Sequence, residues 1–207
     1  MLLIGLVLVL GGCGGSRSAS NAAPSPTKAN AKATVTSATV VADDDTSGLI
    51  GHEAPPWEAS TWFNSPPLTL AGLRGKVVFV RWFTSPDCPF CSGSAPALRA
   101  LHEQHAKDGL VVVGMYHHKS ETPLDPEDVR GWAQHYGYEF PVAIDDGWRT
   151  LRRWWLDGHP DRGYTSVSFL IDRHGVIRRV HLGGLIDVKS AEFASIDADV
   201  QKLLAEK

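Results

Sequence analysis

Cysteine is scarce in this 207-residue chain, with three in all, at positions 13, 88 and 91. A structural zinc site needs four ligands, usually from two cysteine pairs, and a single Cys88/Cys91 pair falls short of that. An excess of either charge is also missing. Lys and Arg number 20 against 23 Asp and Glu, a net −3, with no basic stripe for nucleic acid and no acidic run beyond Asp43-Asp44-Asp45. Long apolar runs are absent too. The run that opens the chain, MLLIGLVLVL, is well short of the roughly 20 residues that a bilayer-crossing helix needs. Between Gly14 and Gly48 large apolar residues are almost missing, so this Ser/Ala/Thr/Asn/Pro stretch cannot offset the entropy of ordering. There is no internal repeat. The hydrophobic fraction, 43%, suffices for one ordinary core, expected within 49–207.

What stands at the N-terminus reads as a processing segment. The opening run suits the h-region of a signal peptide, residues 1–12, although no Lys or Arg accompanies it. Its end, Leu10-Gly11-Gly12-Cys13, resembles a bacterial lipobox, which implies a diacylglycerol on the Cys13 thiol and Cys13 as the mature N-terminus. The expected order is signal peptide (1–12), lipidated N-terminus with flexible linker (13–48), and folded domain (49–207). The expected location is extracytoplasmic, on the periplasmic side, lipid-anchored to a membrane through Cys13; an uncleaved hydrophobic anchor would give the same side. Lipid on Cys13 leaves two cysteines in an oxidising or quinone-poised compartment, so Cys88 and Cys91 are expected to pair as a disulfide.

The folded part alternates strand and helix signals. Val77-Val78-Phe79-Val80 is an unbroken apolar run of the kind strands show when both faces are covered, and Leu68-Thr69-Leu70 ahead of it alternates apolar and polar. Past Ser85-Pro86-Asp87, residues Ala95, Leu98 and Leu101 recur at helical spacing, so Cys88 sits where strand becomes helix. Leu110-Val111-Val112-Val113 repeats the buried-strand signature. Asp125-Pro126-Glu127-Asp128 supplies a cap, a first-turn proline and first-turn acids for a helix reaching about Tyr136. Phe140 to Ile144 predicts a short strand, followed by a helix with Trp148, Leu151 and Trp155 on one face. Val167 to Ile171, the turn Asp172-Arg173-His174-Gly175, and Val176 to Val180 predict an antiparallel hairpin at one side of the sheet. A last helix carries Phe193, Ile196, Val200 and Leu203 in one stripe. The chain has seven tryptophans, and Trp57, Trp62, Trp148, Trp154 and Trp155 are read as core and edge packing rather than as a platform for partners.

The chemistry is concentrated in SPDCPFCSGSAP, residues 85–96. At a helix start, the Cys88 sulfur lies near unpaired N–H groups and the positive end of the helix dipole, which favour the thiolate that attacks disulfides. Cys91, one turn on and less exposed, is placed to attack the mixed disulfide and release the reduced partner. Pro89 removes a backbone donor and stiffens the turn, and Pro96 should bend the helix so that its active end tips outward. A purely structural bridge across so short a loop would stabilise by only about a kcal/mol or two. His117-His118 is an imidazole doublet of interest for a metal, but neighbours at a strand end point to opposite faces, which favours a solvated loop.

LRGKVVFVRWFTSPDCPFCSGSAPAL resembles the active-site segment of extracytoplasmic thioredoxin-like thiol-disulfide oxidoreductases of the TlpA/ResA group, within the redoxin superfamily. FLIDRHGVIRRVHLGG resembles the hairpin that follows in that group, and VVVGMY and EFPVAIDD stand between them in the expected order. The resemblance runs from about Leu68 to the end. It implies an α/β thioredoxin fold, a central mixed sheet flanked by helices, with an N-terminal hairpin and a central βα insertion. It also implies reversible exchange with protein thiols and disulfides and with a membrane reductant or oxidant, by a monomer that uses neither cofactor nor metal. By matching position Cys88 attacks and Cys91 resolves, supported by Asp87, Pro89, Phe90 and Pro96 and by Thr165 and Ser166 on the facing loop.

Three positions depart from the group. Ser166 stands where a cis proline is usual; a cis bond before serine would cost about 3 kcal/mol, so a trans loop is expected, with altered docking of substrate backbone beside Cys88. Asp87 replaces a tryptophan, and its charge opposes the neighbouring thiolate. Ser94 replaces a glutamate that could accept a proton.

Two other readings stay open. Peroxiredoxins share the fold and commonly lack that proline; Ser85 fits the hydroxyl position of their site, but Arg81 stands where they have proline. A thiol peroxidase using Cys88 would also need an arginine on the thiolate, drawn from Arg149, Arg152 or Arg162. A non-enzymatic Cu(I) metallochaperone would use Cys88 and Cys91 with His117 or His118.

Overall fold

All seven residues of the strand Val77–Phe83 are buried, because both of its faces are covered. It is one of six strands in the computed structural model, which describes Thr46 and residues 48–206. The expected signal peptide, the lipidated Cys13 and nearly all of the linker lie outside the described residues. The strands are β1 Ala59–Phe63, β2 Val77–Phe83, β3 Leu110–Tyr116, β4 Val142–Asp145, β5 Ser168–Ile171 and β6 Ile177–His181. Their order in the sheet is β1-β4-β3-β2-β5-β6. β2, β3 and β4 run parallel; β1 joins β4, and β5 joins both β2 and β6, antiparallel. The helices are α1 Pro89–His105, α2 Pro126–His135, α3 Arg149–Leu151 and α4 Ala191–Ala205.

Strand alternation divides the core in two. Val77, Phe79 and Phe83 pack with Leu98 of α1, Val129 of α2 and Ile196 of α4. Val78, Val80 and Trp82 pack on the other face with Trp57, Leu151, Trp154 and Phe169. The helix stripes read from the sequence are the buried ones: Leu98 and Leu101 in α1, and Phe193, Ile196, Val200 and Leu203 in α4. Asp125 caps α2 by accepting the Glu127 N–H at 2.8 Å.

Three local features differ from the sequence expectation. Leu68-Thr69-Leu70 is not a strand. Thr69 Oγ1 accepts the Gly72 N–H at 3.1 Å and starts a single tight turn, Ala71–Leu73, that sends Leu70 and Leu73 inward. In place of a self-paired N-terminal hairpin, the described residues before β2 form one strand, β1, and an isolated bridge from Glu53 to Val176. Between them Trp57 is buried on the second face of the sheet. Finally, α3 continues as a wider π turn, Arg152–Leu156. That widening buries both adjacent tryptophans, Trp154 and Trp155, where a regular helix face would bury one. Trp154 stacks on Trp57 at 6.5 Å and meets Trp82 edge-on at 5.7 Å, so these rings are core.

Candidate active site

β2 ends at Phe83, and the chain turns through Thr84 to Asp87 into α1 with Cys88 as the N-cap and Pro89 as the first helical residue. The turn is pinned from outside: Tyr136, at the end of α2, donates its hydroxyl to the Ser85 carbonyl at 2.9 Å, and Ser92 Oγ donates to Pro86 O at 3.0 Å. Cys88 Sγ accepts the Cys91 N–H at 3.3 Å, so a helix-terminal donor points at the more exposed sulfur. Cys91 is 1% exposed, its sulfur accepting the Thr84 N–H at 3.5 Å. Both are free thiols, the reduced half of the expected couple. Burial, with Cys88 adding to it, pushes the Cys91 thiol up to about 11. Asp87, Pro89 and Phe90 are exposed around Cys88, and Pro96 lies on the outer side of α1.

This difference in burial gives a direct expectation. At about pH 8 iodoacetamide should label Cys88, with Cys91 at least roughly 100-fold slower until the chain is unfolded. Peptide mass spectrometry reads both sites. Equal labelling in the folded protein would contradict the assigned order of attack.

The facing loop carries Thr165 and Ser166. Ser166 is buried and accepts the Gly184 N–H on Oγ at 3.1 Å, tying its loop to the segment after β6. Thr165 Oγ1 lies 2.9 Å from His117 Nε2, and the His117 ring meets Trp148 edge-on at 5.0 Å. The doublet is split as adjacency requires, but His117 is wholly buried rather than solvated. His118 turns instead toward a cavity of about 230 Å³ lined by Ser85, Asp87, Tyr116 and Trp132, with its ring nitrogens on Tyr116 Oη and Thr122 O.

Burial also holds His117 down to about 3 and His181, with Arg81 adding to it, down to about 4. Both rings are therefore neutral in the fold, while in the unfolded chain they take a proton below about pH 6.5. The unfolded state binds more protons in that window, so stability falls as pH drops from about 6.5 toward 4, by about 2 kcal/mol per ring at pH 5. Urea melts of the wild type and of His117→Gln should show a shallower acid slope in the variant. Parallel slopes would remove His117 from the account.

Arg81 is the site residue that sequence reading undervalued. It lies in β2 on the face that packs against α1, between Phe79 and Phe83, and is 1% exposed. Its guanidinium donates to Ser94 Oγ at 3.1 Å, Ser168 Oγ at 2.9 Å and the Gly184 carbonyl. Ser94, read as a missing glutamate, is thus an acceptor for a buried cation; its Oγ also accepts the Ile186 N–H at 2.9 Å. A charge inside VVFVRWF was the available signal.

Two of the three arginines considered for a peroxidase are engaged elsewhere. Arg149 pairs with Glu58 at 2.8 Å and Arg162 lies 3.9 Å over the Trp155 ring; Arg152 is exposed beyond α3. Among the described residues no group of three His, Cys, Asp or Glu side chains is gathered tightly enough to hold a metal ion.

A CxxC pair at a strand-to-helix turn in this strand order is a thioredoxin-like arrangement, and the comparison with protein families agrees. Residues 50–180 match the AhpC/TSA family. The chain belongs to that family. Among curated relatives of this AhpC/TSA member, the thiol-disulfide oxidoreductase ResA of Halalkalibacterium halodurans is 26% identical over 129 residues, 62% of this chain and 66% of that protein. DipZ of Mycobacterium bovis is 29% identical over 125 residues, 59% of this chain but 17% of that protein. Peroxiredoxin Q of Sedum lineare is 26% identical over 119 residues, 56% of this chain and 59% of that one. A solved thioredoxin-like superfamily protein superposes with a TM-score of 0.60 at 29% identity, over 75% of this chain and 97% of that chain. The fold is therefore thioredoxin-like, and the TlpA/ResA resemblance read from the motif is matched. The chain spans less than two thirds of the length of these curated relatives.

Proposed function

We propose that this protein is a thiol-disulfide oxidoreductase that exchanges a Cys88–Cys91 dithiol with the thiols and disulfides of partner proteins. The observation that carries the reading is the asymmetry of the pair: one sulfur at a helix N-terminus and open to a partner, the other buried one turn behind it. Cys88 first attacks a partner disulfide, and one partner sulfur leaves as a thiolate; the mixed disulfide is then resolved by Cys91, which leaves the partner reduced and the pair oxidised. The rim suits a protein substrate. Phe90 and Tyr164 are exposed and meet edge-on at 6.1 Å, and exposed Leu185 lies against Gly93 of α1, so an apolar surface adjoins the attacking sulfur. No helix of the described residues is long and apolar enough to cross a membrane. In this reading the domain works as a monomer outside the cytoplasm, tethered by lipid on Cys13 and a flexible linker and recharged by a membrane reductant or oxidant.

Equilibration of the full chain in glutathione or dithiothreitol buffers tests this. The account expects one two-electron transition that disappears in Cys88→Ser and in Cys91→Ser. A pair that stays reduced or oxidised across the whole range would remove the exchange reading.

A further inference from the structure

A charged side chain sealed under the redox pair has no carboxylate against it. Arg81 projects from β2 toward α1 and reaches Ser94 of that helix, Ser168 of β5 and the Gly184 carbonyl, all neutral acceptors. Among the described residues no Asp or Glu forms an ion pair with it, and arginine keeps its charge in proteins. A buried cation with no carboxylate in contact is costly, and its field is weakly screened. Any negative charge that arises nearby is strongly favoured. Glu192 acts on Arg81 from α4 but is paired with His181 at 3.2 Å, and Tyr138 is held protonated by burial. The other nearby groups able to supply a negative charge are the two thiols: Ser94 is one turn beyond Cys91 on the same buried stripe of α1, and Arg81 interacts electrostatically with Cys91 and Cys88.

We propose that Arg81 is the fixed counter-charge for the Cys91 thiolate at the moment it resolves the mixed disulfide. The inference rests on the exchange reading above and adds the residue that makes its second half workable. In that step the Cys91 thiol gives its proton to water, and its sulfur bonds to Cys88 Sγ. The Cys88–partner S–S bond breaks and the partner leaves as a thiolate, so no outside oxidant is consumed. Burial opposes the first part, since it pushes the Cys91 thiol up to about 11. Once Cys88 is tied up in the mixed disulfide, the Thr84 N–H and the Arg81 field act in favour of the anion. Other titratable groups face this space: Tyr136 from α2, Tyr138 before β4, His181 from β6, Glu192 from α4 and Asp87 before α1. The tyrosines are held far up and His181 is held neutral, both chiefly by burial. Exposed Arg99 of α1 and half-buried Arg179 of β6 reach Tyr138 and His181 from the periphery, so Arg81 is the fully buried cation of this set.

Stopped-flow reaction of the reduced full chain with excess 5,5′-dithiobis(2-nitrobenzoate) separates the two halves. Cys88 attack releases one nitrothiolate in a phase that scales with reagent, and Cys91 attack releases a second in a phase that does not. Arg81→Met should leave the first phase within about twofold and slow the second by roughly tenfold or more, moving its pH midpoint up by about one unit. Arg81→Lys should keep the midpoint close to wild type. Ser94→Glu, which sets a carboxylate against Arg81, should shift the midpoint upward too, and it carries the test if Arg81→Met does not fold. An unchanged midpoint in the folded Arg81→Met variant, or in Ser94→Glu where Arg81→Met does not fold, would overturn the proposal and leave Arg81 as a structural clamp. Absence of the first phase in wild type would instead overturn the exchange reading.

Discussion

In the Cys91→Ser variant, turnover with a protein disulfide should fall by at least roughly 10³-fold, while the covalent adduct on Cys88 accumulates to one per chain. The reason is geometric. Cys88 keeps its helix-start position, and a serine hydroxyl at position 91 cannot expel a partner thiol from the mixed disulfide. The reaction then stops at its midpoint, and the adduct should survive non-reducing electrophoresis and run free on adding dithiothreitol. Cys88→Ser should lose the same turnover without accumulating any adduct, because the remaining thiol is 1% exposed. The contrast between the two variants is what matters. Comparable adducts in both would mean that the sulfurs are interchangeable and that burial does not set the order of attack.

Asp145→Ala should cost about 3–5 kcal/mol of stability, the largest effect expected for a residue away from the thiols. Asp145 ends β4 and is 2% exposed. One carboxylate oxygen accepts the Thr150 N–H at 2.9 Å; the other accepts the Leu151 N–H at 2.8 Å and the Trp82 indole N–H at 2.9 Å. Alanine leaves three buried donors without an acceptor and uncaps the helix that carries Trp154 and Trp155. In a domain of this size that corresponds to a melting point lower by roughly 10 °C or more. Asp145→Asn, which keeps one acceptor oxygen, should lose about half as much. Urea titration at neutral pH measures both, and a loss below about 1 kcal/mol for alanine would show that water or a backbone shift satisfies those donors.

Local patterns carried most of the architecture. The apolar runs at Val77 and Leu110, the cap at Asp125 and the stripe from Phe193 to Leu203 each depend on residues within a few positions, and each corresponds to an element found at that place. The difference in exposure between Cys88 and Cys91 was legible for the same reason, because a helix start and a spacing of three set it. The Arg81 environment was not legible. Its acceptors at Ser168 and Gly184 lie 87 and 103 residues away, so nothing near it in sequence separates a buried cation from the end of a strand. Asp145 is similar: inside EFPVAIDD it reads as a turn acid, and its indole donor is 63 residues earlier. Leu68-Thr69-Leu70 misled in the opposite direction, since an alternation of three residues also fits one capped turn.

The most direct test of the central claim is a competition at one reduced dithiol. The full reduced chain is mixed in separate runs with insulin, as a protein disulfide, and with hydrogen peroxide, and the products at Cys88 and Cys91 are identified by mass spectrometry with dimedone present. The account predicts faster oxidation by the protein disulfide, with a Cys88–Cys91 bridge as product and no dimedone adduct. Rapid oxidation by peroxide with dimedone captured on Cys88, and no reaction with insulin, would contradict it and favour a thiol peroxidase.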